Sequence, residues 1–257
     1  MKISSRFIKQ GIGIIICNPE LISSILTRNF NTIYCSYFQK KVKLTKKLYH
    51  KYERQNELDL FEKVKKINAE IQNHKFSRHE AYFGSLYCII RELKPAIVIE
   101  TGVHRGVSSL FILEALNDNK KGKLYSIDLP LASYTIDTNI TTTSTLPVES
   151  IGICIPSHLR PRWELILENS KKVLPSILDN VESLDIFIHD SEHTYDHMMW
   201  EFETVWPHLI KNGIIVSDDT SWNNAFEDFS LKMNAKNLQL SRDKSYEKEK
   251  FGILIKN

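Results

Sequence analysis

Two short stretches of this chain place acids where they can do chemistry. Asp190 follows the apolar run 184–189, and the pair Asp218 and Asp219 follows the apolar run 213–217. If these runs are neighbouring strands, three carboxylates meet at one edge of a sheet. Carboxylates packed together repel one another unless a cation neutralises them. An all-oxygen donor set favours a hard ion, Mg2+ ahead of Mn2+ or Ca2+. The plainer alternative leaves Asp218 and Asp219 as solvated strand-end acids and gives Asp190 to a neighbouring ligand alone. His193 stands three residues after Asp190, at the start of a helix running toward Pro207. Imidazole titrates near neutral pH, so a histidine there can take a proton from a hydroxyl held at the cation. Its plainer role is a cap or a packed side chain. The same residues satisfy H-x-x-E-H, from His189 to His193, a zinc-peptidase pattern that needs both histidines on one helix face. His189 closes a strand, so the two rings are expected to diverge, which argues against that chemistry.

A second constellation lies upstream. The run 97–100 ends in Glu100 and passes into a turn punctuated by Gly102 and Gly106, followed by Ser108 and Ser109 at a helix start. Glycines let the backbone pass close beneath a ligand, and opening helix amides with Ser108 can receive a carboxylate or phosphate. The next strand, 123–128, ends in Asp128, which can accept hydrogen bonds from both hydroxyls of a ribose. The spacing E-x-G-x-x-x-G differs from the G-x-G-x-x-G of dinucleotide sites. A nucleoside-binding α/β domain is the reading these two strand ends support.

The turn resembles motif I of the class I S-adenosylmethionine (SAM) methyltransferases. The segment from His189 through Asp190, Glu192, His193 and Tyr195, with Trp206, Pro207, His208, Asn212, Gly213, Asp218 and Asp219, is similar to the macrolide sugar O-methyltransferases of the macrocin and mycinamicin type. It is more distantly similar to catechol and caffeoyl-CoA O-methyltransferases. The resemblance covers roughly residues 77–257. It implies that Asp190, Asp218 and Asp219 hold Mg2+ (or Mn2+), that His193 is the base, and that Glu100, Gly102, Gly106 and Asp128 line SAM with Asp190 close by. It also places Asn169 and Ser170 at the adenine, where many relatives carry Gly-Asp-Ser and this chain has Glu168, Asn169 and Ser170. Asp219 stands where catechol-type enzymes usually have asparagine. The implied reaction is methyl transfer from SAM to a hydroxyl of a small polyhydroxylated acceptor, such as a sugar or glycosylated metabolite. A metal-independent SAM methyltransferase, or a non-catalytic membrane-associated module, is the alternative.

Elements that position such groups are legible in the pattern. Apolar runs at 96–100, 123–127, 163–167, 184–189 and 213–217 alternate with helical segments at 106–117, 170–179 and 192–210, which predicts a doubly wound parallel sheet. A helix opens at the S-x-x-E box of Ser77 to Glu80 and ends at Pro95. A helix near 222–234 precedes strand-like runs at 238–240 and 251–255, and the resemblance implies a mostly parallel seven-stranded sheet closed by an antiparallel hairpin. The connection from Asp128 to Trp163 is long enough to be a substrate-side lid.

Residues 1–75 read as a helical, basic extension and 76–257 as the methyltransferase domain. Residues 1–80 carry a balance of +9 and residues 81–257 one of −6, within a net charge of +3. An acidic body repels phosphates, which excludes nucleic acid as substrate. The basic extension is expected to be a solvated face, a homo-oligomer contact or a membrane-surface contact. Its apolar run 11–17 is too short to span a bilayer, and Asn18, Pro19 and Glu20 make a poor signal cleavage region. Cys17, Cys35, Cys88 and Cys154 show no paired spacing, which fits a reducing compartment. A cytoplasmic protein, peripheral to the membrane at most, is the expectation.

Overall fold

A computed structural model describes residues 30–55, 57–73, 80–130, 146–243 and 246–257 of the 257-residue chain. The N-terminal apolar run 11–17 and the threonine-rich stretch 140–145 lie outside the described residues. Strands β1 (Ile97–Thr101), β2 (Lys123–Asp128), β3 (Trp163–Leu167), β4 (Leu184–His189) and β5 (Leu209–Ser217) pair in parallel. Strand β7 (Tyr246–Ile255) runs antiparallel beside β5, and β6 (Lys236–Asp243) pairs with it at the sheet edge. The order is β3-β2-β1-β4-β5-β7-β6, a seven-stranded mixed sheet of the doubly wound α/β kind. Strand order reverses between β1 and β4, which opens a crevice at their carboxyl ends.

Side chains alternate across the sheet because the strand period is two. Val98, Ile186, Ile188, Ile214 and Val216 enter one core, while Ile99, Phe187 and Ile215 enter the other. Helices α3 (Glu80–Leu93) and α4 (Val107–Asn119) pack on the first face, and α5 (Ser170–Asn180), α6 (Tyr195–Val205) and α7 (Ala225–Met233) on the second. Helix α4 is buried almost all round, from Val107 through Leu113 and again at Ala115 and Leu116. A helix apolar on every side needs a second covering layer.

Helices α1 (Phe30–Tyr49) and α2 (Leu60–Asn73) supply that layer. Tyr37, Phe38, Val42, Val64, Ile67 and Ile71 join the same apolar cluster as Leu86, Leu110 and Phe111. The compositional break near residue 75 is therefore not a break in packing. Charge explains why it looked like one. Lys46 of α1 reaches Glu114 and Asp118 of α4 at 2.8 Å each, and buried Lys63 of α2 reaches Glu92 of α3 at 2.7 Å. The basic front and the acidic body are partners. Lys40, Lys43 and Lys47 remain exposed on α1.

Cys35 of α1 and Cys154 form a disulfide across a sequence separation of 119, with Cα atoms 4.9 Å apart. The expectation of four reduced, unpaired cysteines is corrected on this point. Tertiary packing of α1 over the segment after β2, which spacing along the chain does not reveal, brings the two thiols together. Cys88 is free and buried. Among the described residues no helix is long and apolar enough to cross a membrane.

Candidate active site

The turn between β1 and α4 forms one wall of the crevice. Gly102 has φ +87°, and a Cβ there would overlap the carbonyl of Asp190, so only glycine lets the ends of β1 and β4 lie this close. The Asp190 amide donates to the Thr101 carbonyl at 2.9 Å, and the Gly102 amide to Ile127 at 2.9 Å. Gly106, at φ +78°, begins α4, and its missing side chain leaves room for Gly152, whose Cα would be 2.9 Å from a Cβ. The Gly152 amide donates to His104 and that of Cys154 to Arg105, at 2.9 and 3.0 Å. The described part of the long connection after β2 is thus strapped across the turn.

Glu100 and Ser108 take a different place from the one the motif implies. Glu100 shares a sheet face with Val98, so its carboxylate points under α4 rather than into the crevice. It is fully buried and accepts from the hydroxyls of Ser108 and Ser109 at 2.5 Å each and of Ser126 at 2.9 Å. Burial raises its pKa, with the three hydroxyls pulling the other way. These residues brace the turn from below. Asp128 accepts from the amides of Val103 and His104 through Oδ2, at 2.7 and 2.8 Å. No described residue donates to its Oδ1. Burial raises its pKa against the pull of those two amides. Asn169 caps α5 by accepting from the Lys171 amide at 2.9 Å, which leaves its Nδ2 donors for a ligand, and Ser170 opens the same helix.

The second wall carries the acids. Asp190 after β4, His193 in the following loop and Asp218 after β5 each offer one ligand atom, and these atoms lie within 4.8 Å of one another. A divalent ion bonded at about 2.0–2.6 Å spans ligand atoms about 3–5 Å apart, so this trio fits one. Asp219 is not in the trio. It adopts φ +47° in a turn where Trp222 donates to its carbonyl, and an adjacent residue in such a turn points elsewhere. Its Oδ2 stands 4.0 Å from His193 Nε2. The sequence places Asp190, Asp218 and Asp219 together; the structure brings His193 into the gathering and sets Asp219 beside it.

His193 is held from both sides. Its carbonyl accepts from Asn223 Nδ2 at 3.1 Å, and its ring centroid lies 5.2 Å from the exposed Trp222 and 5.0 Å from His189, edge to face. The two imidazoles of the H-x-x-E-H pattern therefore approach each other instead of diverging. His193 still belongs to a loop, and exposed Glu192 accepts from the Thr194 hydroxyl and lies 4.0 Å from His197 Nδ1, so the helical peptidase geometry is not present.

Sequence reading missed one group entirely. Glu201 of α6 is fully buried and contacts His189 Nδ1 at 2.7 Å, Thr101 Oγ1 at 2.9 Å, His197 Nε2 at 3.0 Å and Ser191 Oγ at 3.3 Å. The i, i+4 pairing of His197 with Glu201 was its only trace in the sequence.

With this geometry in view, comparisons with known proteins are informative. Residues 99–220 match the family model described as a methyltransferase domain. No curated protein matches the chain by sequence. The fold is similar to that of an O-methyltransferase from Bacillus cereus in complex with S-adenosylhomocysteine, at 15% identity and TM-score 0.51, covering 80% of this chain and 94% of that one. It is also similar to that of the O-methyltransferase NovP, at 13% identity and TM-score 0.52, covering 73% and 88%. At these identities the likeness concerns the fold. Residues 99–220, from β1 to the turn after β5, are thus similar to a methyltransferase domain, and the fold is like that of O-methyltransferases of known structure.

Proposed function

We propose that this protein transfers the methyl group of SAM to a hydroxyl oxygen of a small polyhydroxylated acceptor, a sugar or glycosylated metabolite, with the help of a divalent cation. The observation that carries this reading is the convergence of Asp190, His193 and Asp218 within 4.8 Å, directly across from the Gly102 turn. Asp190 and Asp218 would hold Mg2+ or Mn2+, whose charge makes a nearby hydroxyl easier to deprotonate. Asp128 and Asn169 would hold the nucleoside of SAM beside the glycine turn. His193 receives the acceptor's proton at Nε2, and Asp219 at 4.0 Å steadies the imidazolium that forms. The acceptor oxygen then bonds the methyl carbon as the carbon–sulfur bond breaks, leaving neutral S-adenosylhomocysteine. Alignment of oxygen, methyl and sulfur by the two walls supplies the remaining advantage.

A second reading of one residue is favoured by the same distances. A ring nitrogen of His193 lies close enough to both carboxylates to be a third ligand, with Asp219 then oriented toward the imidazole as its supporting acid. The exposed Lys40, Lys43 and Lys47 are where contact with an anionic membrane surface or a second copy of the chain would form.

The deciding experiment incubates the protein with radiolabelled SAM and a panel of sugars, glycosides and catechols, with Mg2+ or with EDTA. Methyl transfer to a hydroxyl that EDTA abolishes and Mg2+ restores supports the proposal. Transfer that EDTA leaves unchanged identifies a metal-independent enzyme, and no SAM binding at all points to a non-catalytic module.

A further inference from the structure

The carboxylate of Glu201 lies behind the site and touches neither the crevice nor the three clustered donors. Its contacts have a consistent placement. Thr101 immediately precedes Gly102, while His189 and Ser191 flank Asp190 on either side, and all three meet the one carboxylate. Thr101 and His189 share a register position in neighbouring parallel strands. The fourth partner, His197, belongs to α6, one turn before Glu201. Fully buried carboxylates are costly to keep, and a charge in this position is retained only where every oxygen is satisfied. Both oxygens here are satisfied, each by one histidine and one hydroxyl.

We infer that Glu201 is a positioning residue that sets the place of Asp190 relative to the glycine turn, and through it the geometry of the cation site. The inference rests on the proposed cation-assisted reading. A backbone residue gripped on both sides cannot shift without breaking two buried contacts. Asp190 is such a residue, because its neighbours' side chains are tied to α6 and its amide is tied to β1. Apolar packing alone would hold α6 against the sheet, but it would not fix the rotation of the peptide units on either side of Asp190. The His189 ring packs nearly perpendicular to that of His193, with centroids 5.0 Å apart, so the same carboxylate also anchors a neighbour of that ring.

The test measures binding in the full-length protein without any need for the acceptor. Mn2+ affinity is read by electron paramagnetic resonance and S-adenosylhomocysteine affinity by calorimetry, for wild type, Glu201→Gln and Ser191→Ala. Glu201→Gln keeps the volume but puts an amide against a donor. The expected result is a loss of Mn2+ affinity of at least tenfold, with S-adenosylhomocysteine affinity changed less than threefold and an unchanged circular dichroism spectrum. Ser191→Ala, which removes one hydroxyl and poses little risk to folding, is expected to weaken Mn2+ two- to fivefold. Wild-type Mn2+ affinity in both variants overturns the positioning role and leaves the proposed function standing. Absence of Mn2+ binding by the wild type overturns both.

Discussion

The carbonyl oxygen of Asp190 occupies the space that a Cβ on Gly102 would need. Gly102→Ala must therefore either push β1 and β4 apart or abandon φ +87°. The left-handed conformation alone costs roughly 1–2 kcal/mol for an L-residue. Calorimetric titration with S-adenosylhomocysteine is expected to show at least a tenfold loss of affinity, and thermal unfolding a lowered midpoint. Wild-type affinity in this variant would show that the close approach of the two turns has no part in holding the cofactor.

Replacing His193 separates its two readings. As base, His193→Ala lowers the turnover rate by about a hundredfold or more, leaves Mn2+ affinity intact, and keeps a residual rate that climbs with pH as hydroxide takes over. As third ligand, the same change weakens Mn2+ first, and added cation restores part of the rate. Steady-state kinetics at several Mn2+ concentrations across the pH range distinguish them, and the first outcome is the expected one.

Glu201 gives the fold an acid-sensitive element. Burial pushes its carboxyl up, but hydrogen bonds and charge from His189 and His197 outweigh burial and hold it well below the usual range. Its folded pKa is below the ordinary value of 4.5. The stability it contributes is thus fully present above that pH and is lost as pH falls toward the folded value. Scanning calorimetry from pH 6 to pH 3 is expected to show a midpoint that drops steeply in the wild type and more shallowly in Glu201→Gln. Parallel curves would mean that the buried pairings do not discriminate between the two charge states.

The bond between Cys35 and Cys154 closes a loop across a separation of 119 residues. Loop-closure entropy for rings of this size contributes roughly 4–5 kcal/mol, which in a domain of this length corresponds to a midpoint shift of roughly 10 °C. Dithiothreitol or Cys35→Ser is expected to lower the midpoint by that order. Because Cys154 is also hydrogen-bonded to Arg105 in the glycine turn, cofactor affinity should fall with it. Peptide mapping without reductant, finding both thiols free in protein from an oxidising medium, would remove the premise.

Much of this architecture is legible in the chain. The five parallel strands stand at the predicted apolar runs, with β5 beginning earlier, at Leu209, and β1 and β4 are legible because strands buried on both faces read as continuous hydrophobic stretches. The glycine turn was visible for a similar reason, since Gly102 and Gly106 sit where no other residue fits. What escaped was set by direction and by long-range packing. Motif spacing located Glu100 but not the sheet face it points from, and strand alternation sent it beneath α4. Asp218 and Asp219 read as an equivalent pair, although Asp219 itself takes a left-handed backbone and stays outside the trio of clustered donors. The grouping of Glu201 with Thr101 and His189 spans 100 residues in one case and 12 in the other, and no local pattern encodes it. The charge split between front and body is partly internal, because Lys46 and Lys63 pair with Glu114, Asp118 and Glu92 across the interface.

That interface constrains how the protein can be cut or altered. A shortened version starting at α3 would strip the wall from Tyr87, Leu110 and Phe111 and leave Glu114 and Asp118 facing water without Lys46. Such a fragment would bare an apolar face and lose the cation shared by two carboxylates, so trimming toward a minimal catalytic unit should yield aggregate instead of a smaller enzyme. Changes in α4 must likewise be answered in α1, which ties the drift of the front half to that of the fold it shelters.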